Sequence, residues 1–129
     1  MSIKDYPAVG TNACTSGTLA SSATTADQTI VTYTVTTGKT FFLGTLLLNA
    51  RLTTFATTAT NFGVASLMVN GRKIVTFNVI AGPGVLNSPL FMEPGWALTF
   101  AAGDVIKVVC TPAAATAFTW DASLIGFEQ

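Results

Sequence analysis

The side chains that most often carry out chemistry are scarce in this chain. Among its 129 residues there is no histidine. That removes Ser-His-Asp and Cys-His nucleophilic sites and the commonest general base at neutral pH. Six acids remain. Asp5 and Glu128 are near the termini, Asp27, Asp104 and Asp121 sit at strand ends or outward positions, and Glu93 precedes Pro94. Each reads as a cap or turn residue and not as half of a carboxylate pair for glycosidic hydrolysis. Zinc needs clustered Cys or His and calcium needs several close carboxylates, and neither pattern occurs. Gly82-Pro83-Gly84 is not a phosphate loop, because it lacks the following Lys-Ser/Thr and Pro83 removes an amide that a phosphate would use. The chain is therefore expected not to be an enzyme, with no catalytic residue, metal or cofactor.

Binding chemistry is sparse as well. Nucleic-acid affinity rests on phosphate neutralisation, yet Arg72-Lys73 is the only adjacent basic pair and the net charge is zero. No nucleic-acid partner is expected. Trp96 and Trp120 could form a platform for stacking a sugar, but both lie in alternating strand patterns, where core packing is the simpler reading. Trp96, directly after Pro94-Gly95, is the better candidate for a ligand contact. Cys14 and Cys110 make no disulfide framework and are expected to be free thiols, which fits folding in a reducing cytoplasm.

What could position these residues is a set of strands. Residues 1–27 stand apart, because the stretch 11–27 is almost all Thr, Ser, Ala and Gly with Leu19 as its one large apolar residue. It reads either as a disordered terminus or as an extended arm laid on a neighbour or a sheet edge. From residue 28 the period is two. Val31, Tyr33 and Val35 alternate with Thr32, Thr34 and Thr36, and Thr37-Gly38-Lys39 is a turn. The run 40–51 is apolar on both faces, with Phe42, Leu46 and Leu48 on one and Phe41, Leu43 and Leu47 on the other. One face of such a strand is expected to meet a partner subunit. Asn70-Gly71 between two apolar runs signals a type I′ hairpin. Further strands are expected at 63–69, 72–79, 89–92, 96–100, 105–111 and 119–127, and no window shows a helical period. Seven to eight short strands separated by turns predict an all-β antiparallel sandwich over 28–129, preceded by an extended N-terminal arm over 1–27.

Composition says how such a domain lives. Charged residues make up 9% of the chain and 50% are hydrophobic, while mean hydropathy is +0.56. A lone monomer with this surface is poorly protected against association. The longest apolar run, about ten residues, is too short for a spanning helix, which needs about 20. Strands apolar on both faces do not fit the lipid-and-lumen alternation of a membrane barrel. No membrane partner and no secretory signal peptide are expected, and a surface covered by other subunits is. Leu19, Phe41, Leu43, Leu47, Phe55 and Phe62 are the candidate contact residues.

The run Thr32-Tyr33-Thr34-Val35-Thr36-Thr37-Gly38-Lys39-Thr40-Phe41 resembles the opening strand pair of small jelly-roll proteins in tailed-phage virions. Leu90-Phe91-Met92-Glu93-Pro94-Gly95-Trp96, with Ala102-Gly103-Asp104-Val105-Ile106, is similar to their second half, and Trp120-Asp121-Ala122-Ser123-Leu124-Ile125-Gly126-Phe127 to their final strand. The resemblance implies a jelly roll and a homotrimeric virion protein, made in the host cytoplasm. Its implied role is capsid decoration (cement), bound to a major capsid protein on the outer surface of a phage head. The alternative is a tail-fibre or receptor- or carbohydrate-binding tip, with Trp96, Tyr6 and the loop 112–118 as its contacts.

Overall fold

Strands, some alternating apolar with hydroxyl side chains as Gln28–Thr34 does and others largely apolar as Phe41–Leu52 is, make up the computed structural model, which describes residues 11–20, 26–52, 62–80, 86–91, 98–112 and 118–129. The strands are β1 (Thr11–Ala20), β2 (Gln28–Thr34), β3 (Phe41–Leu52), β4 (Phe62–Val69), β5 (Arg72–Ile80), β6 (Leu86–Phe91), β7 (Leu98–Phe100), β8 (Val105–Pro112) and β9 (Phe118–Glu128). There is no helix among the described residues, hence none long and apolar enough to cross a membrane.

The pairing is nested about one hairpin. At its centre Asn70 (φ 49°) and Gly71 (φ 82°) both take positive φ, the type I′ geometry, and join β4 to β5. Moving outward along the chain, β3 pairs with β6 and β7, β2 with β8, and β1 with β9, all antiparallel. Lateral pairings of β3 with β9 and of β4 with β8 collect these ribbons into two sheets. Sheet I has the order β1-β9-β3-β6, with β7 also on β3, and sheet II the order β2-β8-β4-β5. The two antiparallel sheets form a β-sandwich around one core.

That core takes alternate residues from both sheets. Leu46, Leu48, Trp120 and Leu124 of sheet I meet Leu67, Ile106, Val108 and Cys110 of sheet II, each at most 1% exposed. Fully burying a side chain of this size contributes about 1.5–3 kcal/mol, so this layer dominates cohesion.

Strand β3 departs from the two-faced expectation. Its register against β9 shifts between Leu43 and Thr45, which marks Gly44 as a bulge residue. A bulge inserts one residue and switches the side-chain parity beyond it. Phe41 and Leu43 before the bulge therefore face the same core as Leu46, Leu48 and Ala50 after it. Phe41 and Leu43, at 1% and 0% exposure, do not share an outward face with Leu47, which is 36% exposed. A count by two along the sequence cannot register the inserted residue.

The stretch Thr11–Ala20 is a strand, matched residue for residue to β9 with no break in register. Leu19 lies opposite Trp120 and packs, half-buried, against the core. The remaining parts of 1–27 that precede and follow it, 1–10 and 21–25, lie outside the described residues.

Candidate functional site

The outer face of sheet I is read off its registers. Phe42 of β3 pairs with Phe127 of β9, and their rings stack 4.7 Å apart at 5°. Phe127 is only 4% exposed, although it stands outside the core cluster. The next row runs Cys14, Ile125, Thr45, and the one after it Ser16, Ser123, Leu47. The row beyond is Thr18, Asp121, Asn49. Ser16 and Ser123 hydroxyls hydrogen-bond at 2.8 Å, and Thr18 donates to the Asp121 carboxylate at 2.8 Å. Side chains of this face thus satisfy one another. Asp121 is its only charge among the described side chains.

Sheet II carries its charge outward. Lys107 of β8 lies between Thr32 of β2 and Met68 of β4. Lys73 Nζ stands 2.9 Å from Asp27, with both side chains about 40% exposed. Asp27 also accepts a hydrogen bond from the Thr111 hydroxyl. That hydroxyl, and then Lys73, hold the Asp27 carboxyl below its usual range. Ile74 on β5 is 43% exposed. With Val69, Asn70 and Arg72 it borders an open depression of about 400 Å³.

One end of the sandwich is fastened by side chains. Glu128, 8% exposed, accepts from the Tyr33 hydroxyl at 2.5 Å and from the Thr36 backbone N–H at 2.9 Å. Tyr33 belongs to sheet II and Glu128 to sheet I, so this bond ties the sheets together. Burial alone pushes the Glu128 carboxyl up. The Thr36 N–H, the Tyr33 and Thr36 hydroxyls and the Lys39 charge outweigh it and hold the group below its usual value. Burial, and then the bond to Glu128, keep the Tyr33 phenol protonated well above its ordinary value. Nearby, Asn70 Nδ2 donates to Asp104 at 2.9 Å, while Asn70 Oδ1 accepts from the Val105 N–H at 2.9 Å. Asp104 also accepts from the Ala101 N–H at 2.9 Å, closing the turn in which Gly103 takes φ 82°. These acids act as structural acceptors.

Cys14 is exposed and Cys110 buried, and both are free thiols. Burial lifts the Cys110 thiol to about 11, which keeps it protonated and inert. Trp120 is fully buried and is a core residue. Among the described residues no group of three or more Cys, Asp or Glu could hold a metal ion.

Of the candidate contact residues, Leu47 is exposed, Leu19 half-buried, and Phe41 and Leu43 wholly inside. Phe62 is a β4 residue opposite Ile80. Phe55, Trp96 and Tyr6 lie outside the described residues, as does the 113–117 part of the loop between β8 and β9. The residues that sequence reasoning missed on the sheet I face are Phe42, Ile125 and Phe127. The available signal was Gly44, because a glycine inside an apolar strand run often marks a bulge. Comparison with protein-family models finds no match, and comparison with curated proteins finds none either.

Proposed function

We propose that this chain is a structural protein of a virion, a decoration (cement) protein that binds a major capsid protein on the outer surface of a phage head. It acts there as a homo-oligomer, a trimer as in the proteins it resembles, and stabilises the shell by bridging capsid subunits. The observation that carries this reading is the outer face of sheet I. Phe42, Phe127, Ile125 and Leu47 lie among hydroxyls already hydrogen-bonded to one another, with Asp121 the single charge among the described side chains. Such a face loses little hydration on being covered, and obligate interfaces of about 2,000 Å² or more have this character.

The strand order supports a jelly roll. First strand beside last, second beside next-to-last, and so inward to the β4–β5 hairpin, is the order obtained by rolling one long antiparallel ribbon into two sheets. Capsid proteins are among the users of that architecture, although fold alone does not assign a role.

The test is co-sedimentation of the purified chain with phage heads, alongside light scattering of the free chain. Saturable binding of an oligomer, with heads made more resistant to heat or chelator, is the expected result. A micromolar monomer that binds no heads overturns the reading. Binding to cell-surface glycans in place of heads moves the protein to the tail tip.

A further inference from the structure

We propose that the open edge of β1 pairs antiparallel with β1 of a second copy of this chain, joining the two copies of sheet I into one continuous sheet. This contact needs no capsid and stands apart from the function proposed above.

The margins of the two sheets are not alike. Natural sheets blunt their edges with charge, proline, bulges or very short strands, because an open row of N–H and C=O groups templates pairing. β5 opens on Arg72-Lys73, and the pairing at its start is shifted between Leu67 and Met68. β6 carries Pro89 and a register shift at Leu46/Leu48 of its partner, and β7 has three residues. β2 is bulged between Thr29 and Val31. β1 has none of these devices. Its ten residues, TNACTSGTLA, hold no charge and no proline, and each is matched in turn to β9. Among the described residues nothing pairs with its other edge.

The sequence of β1 also says which strand fits. A two-fold axis through Ser16 sets Ser16 against Ser16 of the second copy. It sets Cys14 against Thr18 and Ala13 against Leu19, with Thr15 opposite Gly17. Side chains that point outward (Cys14, Ser16, Thr18) meet outward ones, and the half-buried set meets the half-buried set. Small faces large in each inner pair, and no charge faces another. This is an isologous contact, in which one patch serves both copies. It leaves the outer face of sheet I free, so it links copies in pairs whether or not trimers form elsewhere.

Two variants at exposed positions read the pairing directly. Cys14 and a cysteine at position 18 of the same strand are about 13 Å apart at 3.3 Å per residue, too far for an internal disulfide. In Thr18→Cys, mild oxidation should give a reducible covalent dimer, whereas the wild-type chain, with Cys110 buried, should not. Ser16→Lys puts two like charges on the axis and should lower the mass seen by light scattering about twofold, as should Ser16→Glu. Mixing the Lys and Glu variants should restore the wild-type mass. No cross-link in a folded Thr18→Cys chain, together with an unchanged mass for Ser16→Lys, overturns the proposal. Both readouts are made on the free chain without phage heads, and the Lys/Glu rescue, which requires Ser16 to face Ser16, separates this contact from any other on the sheet I face.

Discussion

The two outer faces of the sandwich are both made from antiparallel strands and spend their polar groups differently. On sheet I, hydroxyls bond to neighbours across β1 and β9, and the aromatic stack of Phe42 and Phe127 lies flat beside them. On sheet II, Lys73, Lys107 and Asp27 point charge at water. A chain with only 9% charged residues has few to distribute. Among the described side chains the strand cations lie on sheet II and sheet I turns almost no charge outward, which favours sheet I as the contact face proposed above. The contrast is one of composition as well as position, because the strands of sheet I draw their apolar residues largely from Leu and Phe and hold no valine, whereas those of sheet II are rich in Val.

The largest expected effect tests how tightly sheet I is built. At Gly126 an added Cβ would sit 2.0 Å from the Phe42 carbonyl oxygen and 2.9 Å from the Phe41 ring. Backbone cannot yield as a side-chain tip can, so Gly126→Ala should cost about 3 kcal/mol or more, at the upper end of overpacking. Thermal or denaturant unfolding measures it. A change below about 1 kcal/mol would show that β3 and β9 have slack, and the close-built picture of sheet I would fail.

At the end of sheet II the corresponding device is a side chain. Asn70 supplies the positive φ of the turn and two hydrogen bonds across to Asp104 and Val105. Asn70→Ala loses both bonds and strains the turn, for about 1–2 kcal/mol. Asn70→Gly keeps the φ and loses only the bonds, so it should recover part of that loss. Equal losses for the two variants would assign the whole effect to hydrogen bonding.

Much of this was legible beforehand. Val31, Tyr33 and Val35 announced β2 by alternation, Asn70-Gly71 announced its hairpin, and the strands from Gln28 onward appear in the expected order. The parts that were not legible have physical reasons. β1 is built of Thr, Ser, Ala and Gly, whose strand character depends on a partner, here β9. The bulge at Gly44 reversed the facing of half a strand, which moved Phe41 and Leu43 inside and put Phe42 outside. Glu128 read as a terminal acid because only the fold brings Tyr33 and the Thr36 amide to it.

Glu128 links the two sheets, and its effect should depend on pH. The native state holds its carboxyl below the ordinary value of 4.5, so folding favours the ionised form. Its contribution is therefore fully present above that ordinary value and is lost as pH falls below it. In Glu128→Gln the drop in melting temperature between pH 6 and pH 3 should be shallower than in the wild type. The curves should lie furthest apart at pH 6 and draw together in acid. Parallel curves would mean that Asp27, also held low by Thr111 and Lys73, carries the acid response instead.

The smallest effect on the fold discriminates most sharply between the faces. Leu47 and Ile74 are both large, apolar and exposed, at 36% and 43%, one on each sheet. Replacing either with Lys should leave unfolding stability within about 0.5 kcal/mol, since neither supports the core. Association should separate them. Leu47→Lys introduces a cation in the middle of the nearly uncharged face and should weaken binding to heads more than tenfold, a loss above about 1.4 kcal/mol. Ile74→Lys adds one more cation to a sheet that already carries Arg72, Lys73 and Lys107, and should leave binding unchanged. If the two variants lose equally, adhesion is a general property of a charge-poor surface and the faces are equivalent. If only Ile74→Lys loses, the depression beside Val69 and Arg72 is the contact, and the assignment of the faces is reversed.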